Sequence, residues 1–191
     1  MAGQITRRTH HDHRFRSALI VFVAGSLLSS CNNATPENYF DEAVLDVNLI
    51  TPFGGQAALQ SLAHPSVKLV PGTKDQTTPM TRKEIVEDQI QRVEGNLSKI
   101  KALPDSEETR DMVQTSIKLH EFVLAVYKTE YRQLAKLYDE GGSQPDRVST
   151  AQEIDTKYLA AYQTLFNRLV ELGKAYAAKH HIKVQWQTRN F

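Results

Sequence analysis

Thr81-Arg82-Lys83-Glu84, followed by Val86, Ile90, Val93, Leu97 and Ile100, is the stretch that decides the fold. The first four residues form a capping box, in which the Thr81 hydroxyl takes one free amide of the first turn and Glu84 reaches back to another. The apolar residues then recur at four and three, so they line one face of a helix of 3.6 residues per turn. The spacing therefore predicts an amphipathic helix from about residue 82 to 103, ended by Leu103-Pro104-Asp105 because the residue before proline is pushed out of the helical region.

The same period continues downstream. Glu107 and Glu108 suit the first turn of a longer helix, where the dipole favours acids. That helix reaches about Glu140 with the seam Val113, Ile117, His120, Leu124, Tyr127, Tyr131, Leu134 and Tyr138, and Gly141-Gly142 stops it. Pro145-Asp146 opens the last helix, with Ile154, Tyr158, Tyr162, Leu165, Leu169, Leu172 and Tyr176 inward. It fades at Lys179-His180-His181, after which Ile182, Val184 and Trp186 alternate as an extended tail. Upstream, Phe40, Ala43, Val44, Val47 and Ile50 mark a helix over 37–50, and Gln56 to Ala63 hold two further turns before His64-Pro65. Residues 64–80 contain Pro65, Pro71, Gly72 and Pro79 without a period. The expected fold is all-α: an up-down bundle of three to four helices with a long N-terminal loop over about 52–80.

Helix lengths carry a second expectation. The helix over 82–103 spans about 33 Å and the two after it about 52 Å at 1.5 Å per residue, so their far ends should extend past it. If residue 104 is the axis of one antiparallel pair and residue 143 that of the next, Tyr127 and Tyr131 come level with Tyr158 and Tyr162. Segment 53–80 should cover those four tyrosines, with Phe53, Leu59, Leu62, Val67, Leu69 and Val70 packed over them. They are the candidate ligand-binding residues, since clefts between bundle helices are where small molecules are held. His120 joins them as a polar group on an apolar face, with Asp88 and Gln89 level with it as candidate partners. The same counting puts His120 about 20 Å from His180, too far to share a ligand.

Nothing in the helices suggests catalysis. There is no nucleotide loop, dinucleotide fingerprint or nucleophile elbow, and residue 117, three before His120, is Ile rather than the Glu of a di-iron pair. No catalytic residue, metal ligand or cofactor is expected. The chain has 23 basic and 22 acidic residues, and residues 1–30 hold four of the first and one of the second. The remainder is therefore slightly acidic and lacks a nucleic-acid footprint.

The N-terminus has its own pattern. Arg7, Arg8, Arg14 and Arg16 precede an apolar run from Ala18 to Leu28, which is too short to span a bilayer and leads to Leu28-Ser29-Ser30-Cys31, the site of the only cysteine. Leu28-Ser29-Ser30-Cys31 resembles the bacterial lipoprotein signal. That resemblance implies removal of residues 1–30, acylation of Cys31, a lipidated tether over 31–36 and a helical domain over 37–191. With Asn32 rather than an aspartate after the cysteine, it implies an outer-membrane or cell-surface location. The helix order and the run Ala175-Tyr176-Ala177-Ala178-Lys179-His180-His181-Ile182 also look similar to a family of uncharacterised helical surface lipoproteins of bacteria, a likeness that implies a place but no activity. The expected function is a membrane-anchored, non-enzymatic binding or structural module for a protein, peptide or lipid partner in the envelope. The alternative is a binder of a small apolar or aromatic ligand between Tyr127, Tyr131, Tyr158 and Tyr162.

Overall fold

Residues 34–186 are described by the computed structural model, and Cys31 with the segments before it lies outside the described residues. The elements are α1 (Pro36–Ala43), a 3₁₀ segment (Leu45–Ile50), α2 (Gly55–Ala63), β1 (Val67–Leu69), β2 (Thr77–Pro79), α3 (Arg82–Ala102), α4 (Arg110–Val126), α5 (Arg132–Asp139), α6 (Gln144–Ile154) and α7 (Ala160–Lys179). A π turn over Tyr127–Tyr131 joins α4 to α5, and another over Asp155–Leu159 joins α6 to α7. The protein is an all-α bundle whose three arms are α3, α4–α5 and α6–α7.

The capping box at Thr81 is formed as the sequence predicts: Glu84 N–H donates to the Thr81 hydroxyl at 3.2 Å and Thr81 N–H to the Glu84 carboxylate at 2.9 Å. A carboxylate from another arm completes the cap, since Asp139 accepts from the Arg82 and Lys83 amides at 2.9 Å each. This fixes the register of the first pair. Arg132 meets Glu87, Lys128 meets Glu94 and Lys101 meets Glu121 at 2.6–2.7 Å. The start of α3 thus lies level with the end of α5, and residue 101 lies level with about residue 121.

That register corrects the expected one. Leu103–Thr109 is a connection rather than a tight turn, so α4 starts only at Arg110 and its first turns project beyond the end of α3. The overhang lies at the Pro104 end, and α3 does cover the helices at the level of Tyr127. At the overhanging end α1 packs against α3, α4 and α7, with the Tyr39 hydroxyl donating to the Pro104 carbonyl at 2.7 Å. The second register agrees with the count, because Tyr158 meets Glu130 and His180 meets Glu108, as a turn near Ser143 requires.

The remaining differences are local. The helix expected over 37–50 is α-helical only to Ala43 and tightens to 3₁₀ after Val44. Residues 64–80 form an antiparallel hairpin, Val67 opposite Pro79 and Leu69 opposite Thr77, turning at Gly72 with φ +82°. Its Val67 and Leu69 are 60% and 58% exposed, so they do not pack over the tyrosines as expected. Val113 and Ile117 are only half-buried, with Met112 and Ser116 inward in their place, whereas His120, Leu124 and Tyr127 of the predicted seam are buried together with Leu119 and Val123. After α7 the chain turns at His181, φ +57°, and the tail returns along the bundle until the Trp186 ring meets Phe40 edge-on at 5.9 Å.

Candidate functional site

Two regions gather aromatic and polar side chains. The first lies where the two π turns face each other. A π turn holds an extra residue per turn and is enriched at sites that do something other than pack regularly. Here the pair receives Phe53-Gly54-Gly55. The Phe53 ring stacks on Tyr162 at 4.5 Å and lies 6.2 and 6.0 Å from the rings of Tyr127 and Tyr131. All four side chains are buried.

Each buried hydroxyl has a partner. The Tyr131 O–H donates to the Gly54 carbonyl at 2.9 Å while the Gly54 N–H donates to its oxygen at 3.0 Å. Tyr162 donates to the Ile50 carbonyl at 3.2 Å, and the Gln89 amide donates to Tyr127 at 3.1 Å. Burial pushes the Tyr127 and Tyr131 phenols well above their ordinary range, so both stay neutral donors and acceptors. Asp155 locks the segment from outside, accepting from the Gly55 and Gln56 amides at 2.6 and 3.3 Å, an anion on the N-terminus of α2. Gly55 is required by space: a Cβ there would lie 1.8 Å from the Ala151 carbonyl oxygen.

The predicted tyrosine set is therefore three plus one. Tyr127, Tyr131 and Tyr162 converge under Phe53, whereas Tyr158 stays half-exposed, donating to Glu130 at 2.8 Å with its ring against Phe122. His120 lies apart from them in α4. Neither Asp88 nor Gln89 is its partner, because the true register brings residue 101 to its level: Asp88 pairs with Arg92, and Gln89 with Tyr127. Instead His120 Nδ1 donates to the Ser116 carbonyl one turn back at 2.8 Å. This fixes the neutral tautomer and leaves Nε2 a buried lone pair without a partner. Burial lowers its pKa below 6.5, only partly offset by the Ser116 carbonyl.

The second region is at the opposite end of the bundle from α1. A cleft of about 560 Å³ opens between the C-terminus of α2, the start of α3, the end of α5 and the start of α6. Its centre is Tyr138, whose ring carries the Arg147 guanidinium at 4.3 Å and that of Arg82 at 5.8 Å. Sequence periodicity marks Tyr138 only as a seam residue. Two arginines 65 positions apart become neighbours only through the register of α3 on α5, so no local spacing could have flagged them. Among the described residues no three His, Cys, Asp or Glu side chains converge as a metal site, and no helix is long and apolar enough to cross a membrane.

No protein-family model, characterised protein or solved structure matches this chain.

Proposed function

We propose that the chain is a lipid-anchored protein of the bacterial cell envelope, held by acyl groups on Cys31, whose bundle is a non-enzymatic binding or structural module. The observation that carries this is the order of parts: a basic head, a short apolar run, Leu28-Ser29-Ser30-Cys31, and then a folded domain whose first helix cap is already Thr35. The five residue steps from Cys31 to Pro36 reach about 18 Å at most when extended, so the α1 end of the bundle would lie close to the headgroups. An outer-membrane or surface position follows from Asn32 by the same resemblance.

A protein or peptide partner is supported by the hairpin. Val67 and Leu69 project from one face of a two-stranded ladder as exposed apolar side chains, on a type of element that pairs readily with another strand. The alternative, a small apolar ligand between the tyrosines, has to contend with Phe53, which already fills the space between Tyr127, Tyr131 and Tyr162.

Labelled fatty acid supplied to growing cells tests the anchor. The parent chain should take up label and sediment with membranes, and Cys31→Ser should give an unlabelled chain that is released or left unprocessed. A Cys31→Ser chain that is cleaved and still membrane-bound overturns the reading.

A further inference from the structure

We propose that the Tyr138 cleft binds a small organic anion, a carboxylate or phosphate group carried on a short apolar body. The inference stands apart from acylation of Cys31 and needs only the folded bundle.

Charge is the first observation. Arg82 and Arg147 both face one ring, yet among the described residues neither guanidinium is paired with a carboxylate. The nearest acid in sequence to Tyr138, Asp139, is committed to the backbone amides that open α3. Arg82 spends its Nε on the Leu62 carbonyl at 3.0 Å, which holds the group in place and leaves its terminal N–H groups available. The Arg147 Nε is buried and has no hydrogen-bond partner among the described residues. A buried guanidinium N–H without an acceptor is costly, and charge-assisted acceptors are the groups that relieve it most. Among the described residues no acid lines the cleft to oppose an incoming anion.

Shape and chemistry give the class of ligand. The Tyr138 ring holds the Arg147 guanidinium at 4.3 Å, and the Leu62 carbonyl holds that of Arg82, so less entropy is lost when they meet anionic oxygens. Beside them the wall is apolar at Leu59, Ala63 and Val148, with the amides of Gln60 and Gln144 at the rim. A volume of about 560 Å³ lies in the range that holds small molecules. A bare inorganic ion would leave the apolar wall unused, and a neutral molecule would leave the two guanidinium charges without a counter-charge. The shared chemistry of carboxylate and phosphate is a pair of oxygens matching the guanidinium fork.

The test is an NMR titration of the full chain in a neutral maltoside detergent, following the Nε–H signals of Arg82 and Arg147. Butyrate, butyl phosphate and butanol are the probes. One or both anions should shift the two signals saturably, the tighter of them naming the head group, and butanol should not. Arg147→Lys, which keeps the charge and loses the fork, should weaken binding at least threefold, and Arg147→Ala at least tenfold. The proposal is overturned if neither anion saturates below about 10 mM, the weak limit of a specific site. Butanol binding as well as the anions overturns it, and so does an unchanged affinity in folded Arg147→Lys and Arg147→Ala chains.

Discussion

The Phe53 junction and the Tyr138 cleft are built from the same materials on the same helices, and they differ in whether anything is left over. Tyr127, Tyr131 and Tyr138 follow one another along the α4–α5 arm, and the chain from Ile50 to Leu62 passes over all three. At the junction it delivers an aromatic ring and backbone groups, so rings stack and every hydroxyl is matched. At the cleft it delivers the Leu59 carbonyl, which accepts from the Tyr138 hydroxyl at 3.3 Å, and the side chains of Leu59, Gln60 and Ala63 on one wall, while two arginines from other arms come to the ring without acids. A region whose polar groups are all matched within the chain has no capacity for a partner. Unmatched donors in an open concavity have it.

The largest effects should come from breaking the sealed region. Phe53→Ala removes the ring shared by three tyrosines and should cost about 3–5 kcal/mol in chemical denaturation, as buried aromatic truncations do. Gly55→Ala should be of similar severity, since the new Cβ meets backbone rather than a yielding side chain. Tyr131→Phe is gentler: it strands the Gly54 N–H, while the Gly54 carbonyl keeps the Ala58 amide at 3.0 Å, and without opening a cavity it should cost about 1–3 kcal/mol. A loss under half a kcal/mol would show that the junction is looser than its geometry.

Arg147→Ala is the matching change in the open region. It removes a cation from a ring face but no core volume, so it should shift stability by about 0.5–1 kcal/mol. The comparison is sharpened if this variant melts near the parent while losing anion affinity, and broken if it unfolds like Phe53→Ala.

Much of the bundle was legible because it rests on local signals. The Thr81 capping box, the stop at Leu103-Pro104 and the start near Pro145 each act within one turn, and the structure has them where the spacing predicts. What failed was counting across a connection. A tight turn at Pro104 leaves out that Leu103–Thr109 runs on before α4 begins, and this shifts the residue level with His120 from 88 to about 101. The junction near Ser143 is short, so the same count succeeded there and brought Tyr127 and Tyr131 level with Tyr158 and Tyr162, of which Tyr162 joins them under Phe53. The hairpin over 67–79 was hidden because its strands are three residues each, too short for a period of two to stand out beside Pro71 and Pro79. The arginine cleft was hidden for a deeper reason: it is a product of register alone.

His120 is a buried polar side chain that keeps an unpaired atom among the described residues, and it gives the smallest expected effect. With Nδ1 donating to Ser116, the orphan is a lone pair on Nε2, and burial disfavours adding a proton there. The folded pKa therefore lies below 6.5 while the unfolded chain titrates near that value. Below about pH 6.5 the unfolded state binds more protons than the folded one, so stability falls as the pH falls, by at most about 1.4 kcal/mol per pH unit for one group. His120→Leu discards the lone pair, the lost Ser116 bond and this titration together, and an apolar side chain suits the Leu119, Val123 and Leu124 surroundings along α4. At pH 7.5 the variant should unfold within about 1 kcal/mol of the parent, because loss of a net hydrogen bond of about 1 kcal/mol is offset by burying a better-matched group. Between pH 6.5 and 5 the parent should weaken relative to the variant, and urea midpoints at the two pH values measure it. If the two chains lose stability in parallel as the pH falls, His120 is not the group that titrates; if the variant collapses at pH 7.5, Nε2 has an acceptor's role that an apolar core cannot replace.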